Sequence, residues 1–237
     1  MSLTDTLSEI QQRISETSKL VGGSQSVTIV AVTKTHPAIF IENIFNAGIV
    51  NIGENRVQEA QGKFPQLPKL PGLTKRMIGH LQSNKVNKTL DLFDTIDSVD
   101  SLKLAKRISN RAKLLEKNTP VLLEVNTSGE AAKSGFDPTN LQDMLACLEE
   151  ENITVGGLMT VGPLTSVENE IREAFSSLRN LLNELNRQRP SNHPQMSELS
   201  MGMSMDYQLA VEEGSTMIRL GTALFGFRKQ ENLSRET

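Results

Sequence analysis

The sequence predicts an α/β protein with the (β/α)8 TIM-barrel fold and one additional N-terminal helix. Short apolar runs alternate with amphipathic segments, which is typical of parallel strands joined by helices. Eight such units fit into about 215 residues, which is the size of one closed barrel. An open, doubly wound sheet is the alternative, because a strand count made from one sequence is error-prone.

The first elements show the pattern. Apolar residues recur at helical spacing near the N-terminus: Leu3, Leu7, Ile10 and Ile14. Gly22-Gly23 is expected to end this helix. Residues 27–32 are apolar on both faces, as in a buried parallel strand. Pro37 is expected to open the next helix, where its missing N–H matters least.

Seven further strand–helix units follow. Their strands are predicted at 49–53, 76–79, 93–96, 120–125, 153–159, 198–201 and 217–220. Helices are predicted to begin at Asn84 and Met205, and Asp100 is expected to cap another. We expect residues 1–237 to form one domain with its core at about 27–228, since the chain ends soon after the eighth unit.

Composition narrows the function classes. Hydrophobic residues make up 37% of the 237 residues and the formal charge is −3, a balance without the basic face that nucleic acid requires. No apolar run reaches the ~20 residues that span a bilayer. The N-terminus does not resemble a secretory signal, and the lone Cys147 excludes a disulfide framework. We therefore expect a cytoplasmic protein with a packed thiol. The three scattered histidines predict no metal site.

Polar residues follow nearly every predicted strand. The carboxyl ends of barrel strands build the functional site in this fold. The strand-end residues are Lys34, Glu54, Asn55, His80, Asp97, Ser98, Asn126, Ser128, Thr160, Ser200, Ser204, Arg219 and Thr222. Each taken singly is also an ordinary turn former.

Lys34 stands out because it follows the most apolar strand of the chain. An apolar pocket would disfavour the ammonium form, lower the pKa of the amine and leave a nucleophile for an aldehyde. The alternative is a solvated lysine whose stem lies along the strand end.

Two turns predict a phosphate site. Barrels often bind phosphate in the loops after strands seven and eight, beside a helix N-terminus. Here these loops contain Ser204 and Thr222, with Gly202 and Gly221 allowing close approach of the backbone. Alternatively, the two hydroxyl residues are ordinary helix N-caps.

Arg219 is expected to face the barrel interior, because alternation places it on one face with Met217 and Gly221. A buried charge needs a partner. The partner is either a ligand or an acidic residue such as Glu198 or Asp206.

Seven segments match the motifs of one known family. They are Val32-Thr-Lys-Thr-His36, Asn51-Ile-Gly-Glu-Asn-Arg-Val-Gln-Glu59, Ile78-Gly-His-Leu-Gln-Ser-Asn-Lys85, Glu124-Val-Asn-Thr-Ser-Gly-Glu130 with Lys133-Ser-Gly135, Gly157-Leu-Met159, Leu199-Ser-Met-Gly-Met-Ser-Met-Asp206 and Ile218-Arg-Leu-Gly-Thr-Ala-Leu-Phe-Gly226. Over about residues 27–228 the chain resembles the pyridoxal phosphate homeostasis protein family. Thr33 departs from the pattern, where serine is frequent.

The resemblance implies a barrel like that of alanine racemase, of PLP fold-type III, with pyridoxal 5′-phosphate (PLP) as cofactor. It implies a role in vitamin B6 and amino-acid or keto-acid homeostasis without established catalysis. It maps the Schiff base to Lys34 and the contact with the pyridine nitrogen to Arg219. It maps the phosphate contacts to Ser204, Gly221 and Thr222, with Ser200 and Met201 nearby. Asn55 and His80 are implied to line the same cofactor-binding mouth.

A guanidinium beside the pyridine nitrogen would keep that nitrogen unprotonated, which makes a poor electron sink and argues against transaminase chemistry. We therefore favour a non-enzymatic, monomeric PLP carrier, with PLP-dependent apoenzymes as acceptors. One alternative is a racemase or lyase on small amino acids, with His80 or Lys85 as base. Another is a class I aldolase, although the Schiff-base lysine of such enzymes usually lies late in the barrel, whereas Lys34 follows the first strand.

Overall fold

Eight parallel strands close into a barrel in the order β1 to β8, in a computed structural model that describes residues 2–22 and 26–226. Strands β1 and β8 pair with Thr28 opposite Met217 and Val30 opposite Arg219. This pairing confirms the closed barrel and is incompatible with the open sheet. The first helix ends at Leu20, and Gly22 follows it with a φ of +68°, which agrees with the predicted helix stop at Gly22-Gly23. Gly23 itself and the expected core limit at residue 228 lie outside the described residues.

Helices alternate with the strands around the barrel. The strands are β1 (Thr28–Val32), β2 (Asn51–Glu54), β3 (Thr74–Met77), β4 (Thr95–Val99), β5 (Thr119–Glu124), β6 (Ile153–Met159), β7 (Glu198–Met203) and β8 (Met217–Leu220). The helices are α1 (Leu3–Leu20), α2 (Ala38–Asn46), α3 (Val57–Lys63), α4 (Val86–Leu92), α5 (Leu102–Leu114), α6 (Leu141–Leu148), α7 (Glu168–Gln188), α8 (Tyr207–Glu212) and α9 (Thr222–Phe225). Short 3-10 turns precede β3 and α4.

Apolar side chains fill both the centre of the barrel and the layer between strands and helices. The central cluster contains Val30, Leu122, Met159 and Met217. Larger clusters on the outer surface of the strands bury the apolar stripes of the helices. Each strand therefore contributes alternate side chains to the interior and to the helix layer, which fixes the direction of every polar side chain near the strand ends.

The N-terminal helix α1 lies against α8 and α9. Its residues Leu7, Ile10 and Ile14 are buried, as their spacing predicts. A capping box formed by Ser2 and Asp5 begins the helix. Cys147 is also buried, as expected, and burial raises the pKa of its thiol to about 12, which marks a packing residue.

Three expected helix starts were wrong. Ser101, not Asp100, caps α5 by accepting from the N–H of Leu104 at 3.3 Å, because the Asp100 carboxylate faces His80. The helix expected from Asn84 begins as a 3-10 turn, and α4 follows at Val86. The helix expected from Met205 begins at Tyr207. Within the described ranges, no helix is long and apolar enough to cross a membrane.

Candidate functional site at the barrel mouth

Lys34 lies two residues beyond the end of β1 and its side chain is exposed. The expectation of an amine shielded by the protein was wrong. The reason is that the backbone has already left the barrel wall and enters a turn above the rim, so no apolar wall surrounds the side chain. The side chain of Lys34 is therefore accessible from solvent at the rim.

The two turns expected to bind phosphate are joined directly. The Ser204 hydroxyl oxygen accepts hydrogen bonds from the N–H groups of Gly221 at 3.2 Å and Ala223 at 3.1 Å. Ser204 is thus not the N-cap of its own helix, a position that Asp206 takes. The Ser204 hydroxyl therefore lies at the N-terminal end of α9, and hydroxyls and helix N-termini are groups that proteins use to bind anions.

This turn lies in the same sector of the rim as Lys34. Gly221 follows β8, which pairs with β1, and a Cβ at Gly221 would lie 3.7 Å from the Val32 carbonyl oxygen. Lys34 follows Val32 by two residues in the chain. Thr222, the first residue of α9, is exposed at the same edge. The structure therefore brings Lys34, Ser204, Gly221 and Thr222 together.

Gly202 has a different role from the one expected. Its φ is +94°, and a Cβ there would come within 2.5 Å of the Ala210 Cβ. The glycine allows α8 to pack closely on β7, so its contribution is to packing and to the left-handed backbone conformation.

Arg219 is buried inside the barrel, as alternation predicted. One terminal nitrogen donates to the Ser200 carbonyl and hydroxyl oxygens, both at 2.7 Å, and the other donates to the Thr160 carbonyl oxygen at 2.7 Å. Neither acidic alternative bonds it; Asp206 accepts from the Met203 N–H at 2.5 Å.

Burial lowers the pKa of the Arg219 guanidinium, and the negative charges of Asp97, Glu124 and Asp206 oppose that shift. Neutral oxygens therefore hold the group in place, while its counter-charges act from further away. This leaves Arg219 oriented by the protein but not neutralised by a direct carboxylate contact.

Met201 does not point into the mouth. Its side chain is fully buried in the cluster between the strands and the helices. The backbone carbonyl oxygen of Met201 accepts from the hydroxyl of Ser215, two residues before β8, at 2.8 Å. The expected cofactor contact could therefore come only from the backbone of this residue.

Asn55 and His80 line one cavity of about 540 Å³ at the ends of β2 and β3, together with Lys85. The His80 ring Nδ1 lies 3.0 Å from the Asp100 carboxylate and 3.1 Å from the Ser134 hydroxyl. The buried side-chain oxygen of Asn55 has no hydrogen-bond partner among the described residues, which leaves it available to a ligand donor.

Several other strand-end residues hold the rim together. The Ser98 hydroxyl donates to the Gly79 carbonyl at 2.7 Å, and Thr160 donates to the Val125 carbonyl at 2.8 Å. Asn126 donates to the Glu130 carbonyl at 2.9 Å. Asp97 lies inside the barrel and accepts from Arg76 at 3.2 Å. The polar groups of these residues form hydrogen bonds within the protein and hold the strand ends together.

Glu124 was missed as a site residue. It ends β5 on the same face as Leu122, which belongs to the central cluster, and one of its carboxylate oxygens has no partner in the part of the chain described. Burial and, to a smaller extent, the charge of Asp100 raise the pKa of Glu124 to about 7, against the opposing charges of Arg219 and His80. The alternation of β5 could have revealed it.

Glu54 was expected at the mouth but points outwards from the barrel wall. Its carboxylate is fully buried against α3, where it binds Lys63 and Thr33. Burial raises the pKa of Glu54, while hydrogen bonds from Lys63 and Thr33 act in the opposite direction. Lys63 was also missed, because a lysine in a short amphipathic helix normally faces solvent.

The mouth thus offers the chemical groups that a phosphorylated aldehyde with an aromatic nitrogen would need. They are an exposed amine, a turn where a hydroxyl meets backbone N–H groups, a fixed guanidinium and two buried oxygens that have no partner in the described part of the chain. This set of chemical groups fits PLP.

The comparisons with known proteins agree with this arrangement. The family described as alanine racemase, N-terminal domain, matches residues 6–229, and the chain is therefore an alanine-racemase-type barrel. An alanine racemase from Clostridium difficile 630 superposes with a TM-score of 0.72 at 18% identity, covering 96% of this chain and 58% of that one. That likeness concerns the fold alone.

Two closer relatives refine the assignment. A pyridoxal phosphate homeostasis protein from Aquifex aeolicus is 38% identical over 231 residues, covering 97% of this chain and all of the relative. PipY of Synechococcus elongatus, solved with PLP bound, is 38% identical with a TM-score of 0.81, covering 95% of this chain and all of PipY. The chain belongs to the pyridoxal phosphate homeostasis protein family.

Proposed function

We propose that this protein binds PLP as a Schiff base on Lys34 and takes part in PLP, amino-acid and keto-acid homeostasis without a reaction of its own. The observation that carries the proposal is the bridge from the Ser204 hydroxyl to the start of α9, beside the strand that leads to Lys34. A lysine and an anion-binding turn in one sector of a barrel mouth suit a phosphorylated aldehyde.

The other residues would bind the rest of the cofactor. Ser204, Gly221 and Thr222 would hold the phosphate, and Arg219, oriented by Ser200, would face the pyridine nitrogen. Asn55 and His80 would line the mouth. When bound, PLP supplies an aldehyde that condenses with amines. We propose that residues 1–237 form a single PLP-binding domain.

A carrier role is supported by the exposure of Lys34, because an accessible amine allows the bound aldehyde to exchange with other amines. The only tyrosine of the sequence, Tyr207, is buried on α8 against α1. Its side chain therefore does not face the mouth, where a base would be needed. We propose PLP-dependent apoenzymes as acceptors and a monomer in the cytoplasm, where the buried thiol of Cys147 suits a reducing compartment.

The test is a visible absorption spectrum of the purified full chain with and without added PLP. The wild type should gain the band of a protein-bound Schiff base, and Lys34→Ala should lose it. Lys85→Ala and Lys133→Ala, at the same face, are the matched controls and should retain it. A borohydride-stable adduct that maps to Lys85 or Lys133 would refute the assignment.

A racemase or lyase is the second candidate, and Glu124 is the observation that favours it. A carboxyl group with a pKa of about 7 inside the mouth has the properties of a general acid or base. Incubation with PLP and alanine, serine or threonine in deuterated water tests this function. Exchange at the α-carbon faster than with free PLP, and lost in Glu124→Gln, would establish catalysis.

A further inference from the structure

A buried charged cluster lies behind the turn that carries Lys34. This cluster, which we call the Lys63 cluster, consists of Thr33, Thr35, Glu54, Glu59 and Lys63. It occupies the space between the ends of β1 and β2 and helix α3, outside the barrel interior. Lys34 is flanked on both sides by its members.

Lys63 is the centre of the cluster. Its side chain is only 6% exposed, and its ammonium group lies 2.6 Å from the Glu54 carboxylate and 3.0 Å from the Glu59 carboxylate. It also donates to the Thr33 carbonyl oxygen at 2.8 Å. A buried ammonium is stable only when its donors are paired, and here one of the three partners is the peptide group that joins Thr33 to Lys34.

The same carboxylates hold the flanking residues. Glu54 accepts from the Thr33 hydroxyl at 2.6 Å, and Glu59 accepts from the backbone N–H of Thr35. The His36 N–H closes the turn on the Thr33 carbonyl at 3.0 Å. The backbone is therefore anchored immediately before and immediately after Lys34.

Thr35 shows that this anchoring overrides local preference. Its φ is +65°, a conformation that β-branched residues rarely adopt. Such strain persists only where surrounding contacts determine the backbone, and it is frequent at ligand sites. The ring of His36 further fixes the turn, since its centroid lies 4.5 Å from that of Phe40 and 4.7 Å from that of Phe225.

We propose that Lys63 is a positioning residue for Lys34, acting through Thr33 and, by way of Glu59, through Thr35. The inference rests on the proposed function. Lys34 is exposed, so its direction is set by its backbone rather than by side-chain packing. Loss of the Lys63 ammonium frees the peptide before Lys34 and loosens the carboxylate that holds the peptide after it. The amine then meets the bound aldehyde less often, while the phosphate turn at Ser204 is unchanged.

The experiment compares two probes on the full chain. PLP can form the covalent bond, whereas pyridoxine 5′-phosphate carries an alcohol in place of the aldehyde and can only bind non-covalently. Lys63→Met should weaken PLP binding, measured by the Schiff-base absorbance, by roughly tenfold, the effect of losing one charged hydrogen bond. Binding of pyridoxine 5′-phosphate, measured calorimetrically, should stay within about twofold of wild type.

The matched control is Lys117→Met. Lys117 is a half-buried lysine that also donates to a backbone carbonyl, that of Leu90, but it precedes β5 at the opposite end of the barrel. Both probes should bind this variant as they bind the wild type. If Lys63→Met does not fold, Glu59→Ala replaces it, because Glu59 is 24% exposed and its loss leaves the Glu54–Lys63 pair intact. Its expected loss in PLP affinity is about threefold.

The outcomes separate this inference from the proposed function. Equal losses for the two probes, or PLP binding at the wild-type level in the variant, would overturn the positioning role while the wild-type band on Lys34 still stands. A wild type that forms no band with PLP would overturn both proposals. A selective loss of PLP binding with intact pyridoxine 5′-phosphate binding supports both.

Discussion

Two buried charged regions meet at the ends of the strands, and they are built differently. In the Lys63 cluster, outside the barrel wall, the ammonium touches two carboxylates and a carbonyl directly. Inside the barrel, Arg219 is held by neutral oxygens of Ser200 and Thr160, and one carboxylate oxygen of Glu124 lacks a partner among the described residues.

The difference separates scaffold from site. In the outer cluster the ammonium is paired with two carboxylates and a backbone carbonyl, and the second oxygen of Glu54, which has no partner among the described residues, is enclosed outside the barrel interior. This region can therefore fix the backbone beside Lys34 but does not open into the barrel. The inner region keeps a guanidinium without a direct carboxylate contact and an unpaired Glu124 oxygen on the face of the barrel interior. Burial raises the pKa of Glu54 and of Glu124 alike, but only Glu124 lies on the inner face. Unsatisfied polar groups of this kind are expected where a ligand completes the network.

The largest effect should come from breaking the outer cluster. Lys63→Met leaves the carboxylate of Glu54, which is fully buried, without its cation, and we expect a loss of about 3–5 kcal/mol in the free energy of unfolding at pH 8. Burial already raises the pKa of Glu54, and the variant should raise it further. The folded variant then binds more protons than its unfolded chain, so its stability should fall as pH rises.

Urea unfolding at pH 5 and pH 8 measures this effect. The double variant Glu54→Gln/Lys63→Met removes both charges and should recover most of the loss. Equal losses at the two pH values, or no recovery in the double variant, would show that the ion pair does not determine stability here.

The next effect tests the inner region. Glu124 has a pKa of about 7 when folded and 4.5 as its ordinary value. Between these values the folded state binds more protons, so Glu124 lowers stability as pH rises from about 4.5 to 7, by on the order of 3 kcal/mol. Glu124→Gln should flatten this part of the stability–pH curve and be more stable than wild type above pH 7. Chemical unfolding at four pH values checks it, and an unchanged curve would contradict it.

The smallest effect concerns the strained turn. Thr35→Gly relieves the positive φ of 65°, but glycine adds entropy to the unfolded chain, so the change in stability should be within about 1 kcal/mol. If the Lys63 cluster determines the turn, the variant should still bind PLP as wild type does. A strong loss of the Schiff-base band would show that Thr35 itself, and not the Lys63 cluster, holds the turn in its conformation.

The barrel could be predicted from the sequence because periodicity reports which face of an element is buried. The strand runs and the spacing of residues such as Leu7, Ile10 and Ile14 led to the observed architecture. Helix starts were less predictable, since Asp100 and Ser101 are both suitable caps; in the folded protein Ser101 caps the helix and the Asp100 carboxylate faces His80. The inward direction of Arg219 followed from the two-residue repeat of a strand.

The sequence by itself determined the eight-unit barrel, the family motifs and the strand ends at which Lys34, Ser204 and Arg219 lie. Only the tertiary structure decided that Lys34 is exposed, that Ser204 bonds to the next turn and that Lys63 lies behind Lys34. The physical reason is that periodicity follows from local backbone geometry, whereas burial, hydrogen-bond partners and pKa values depend on groups that are distant along the chain and meet only when the barrel closes.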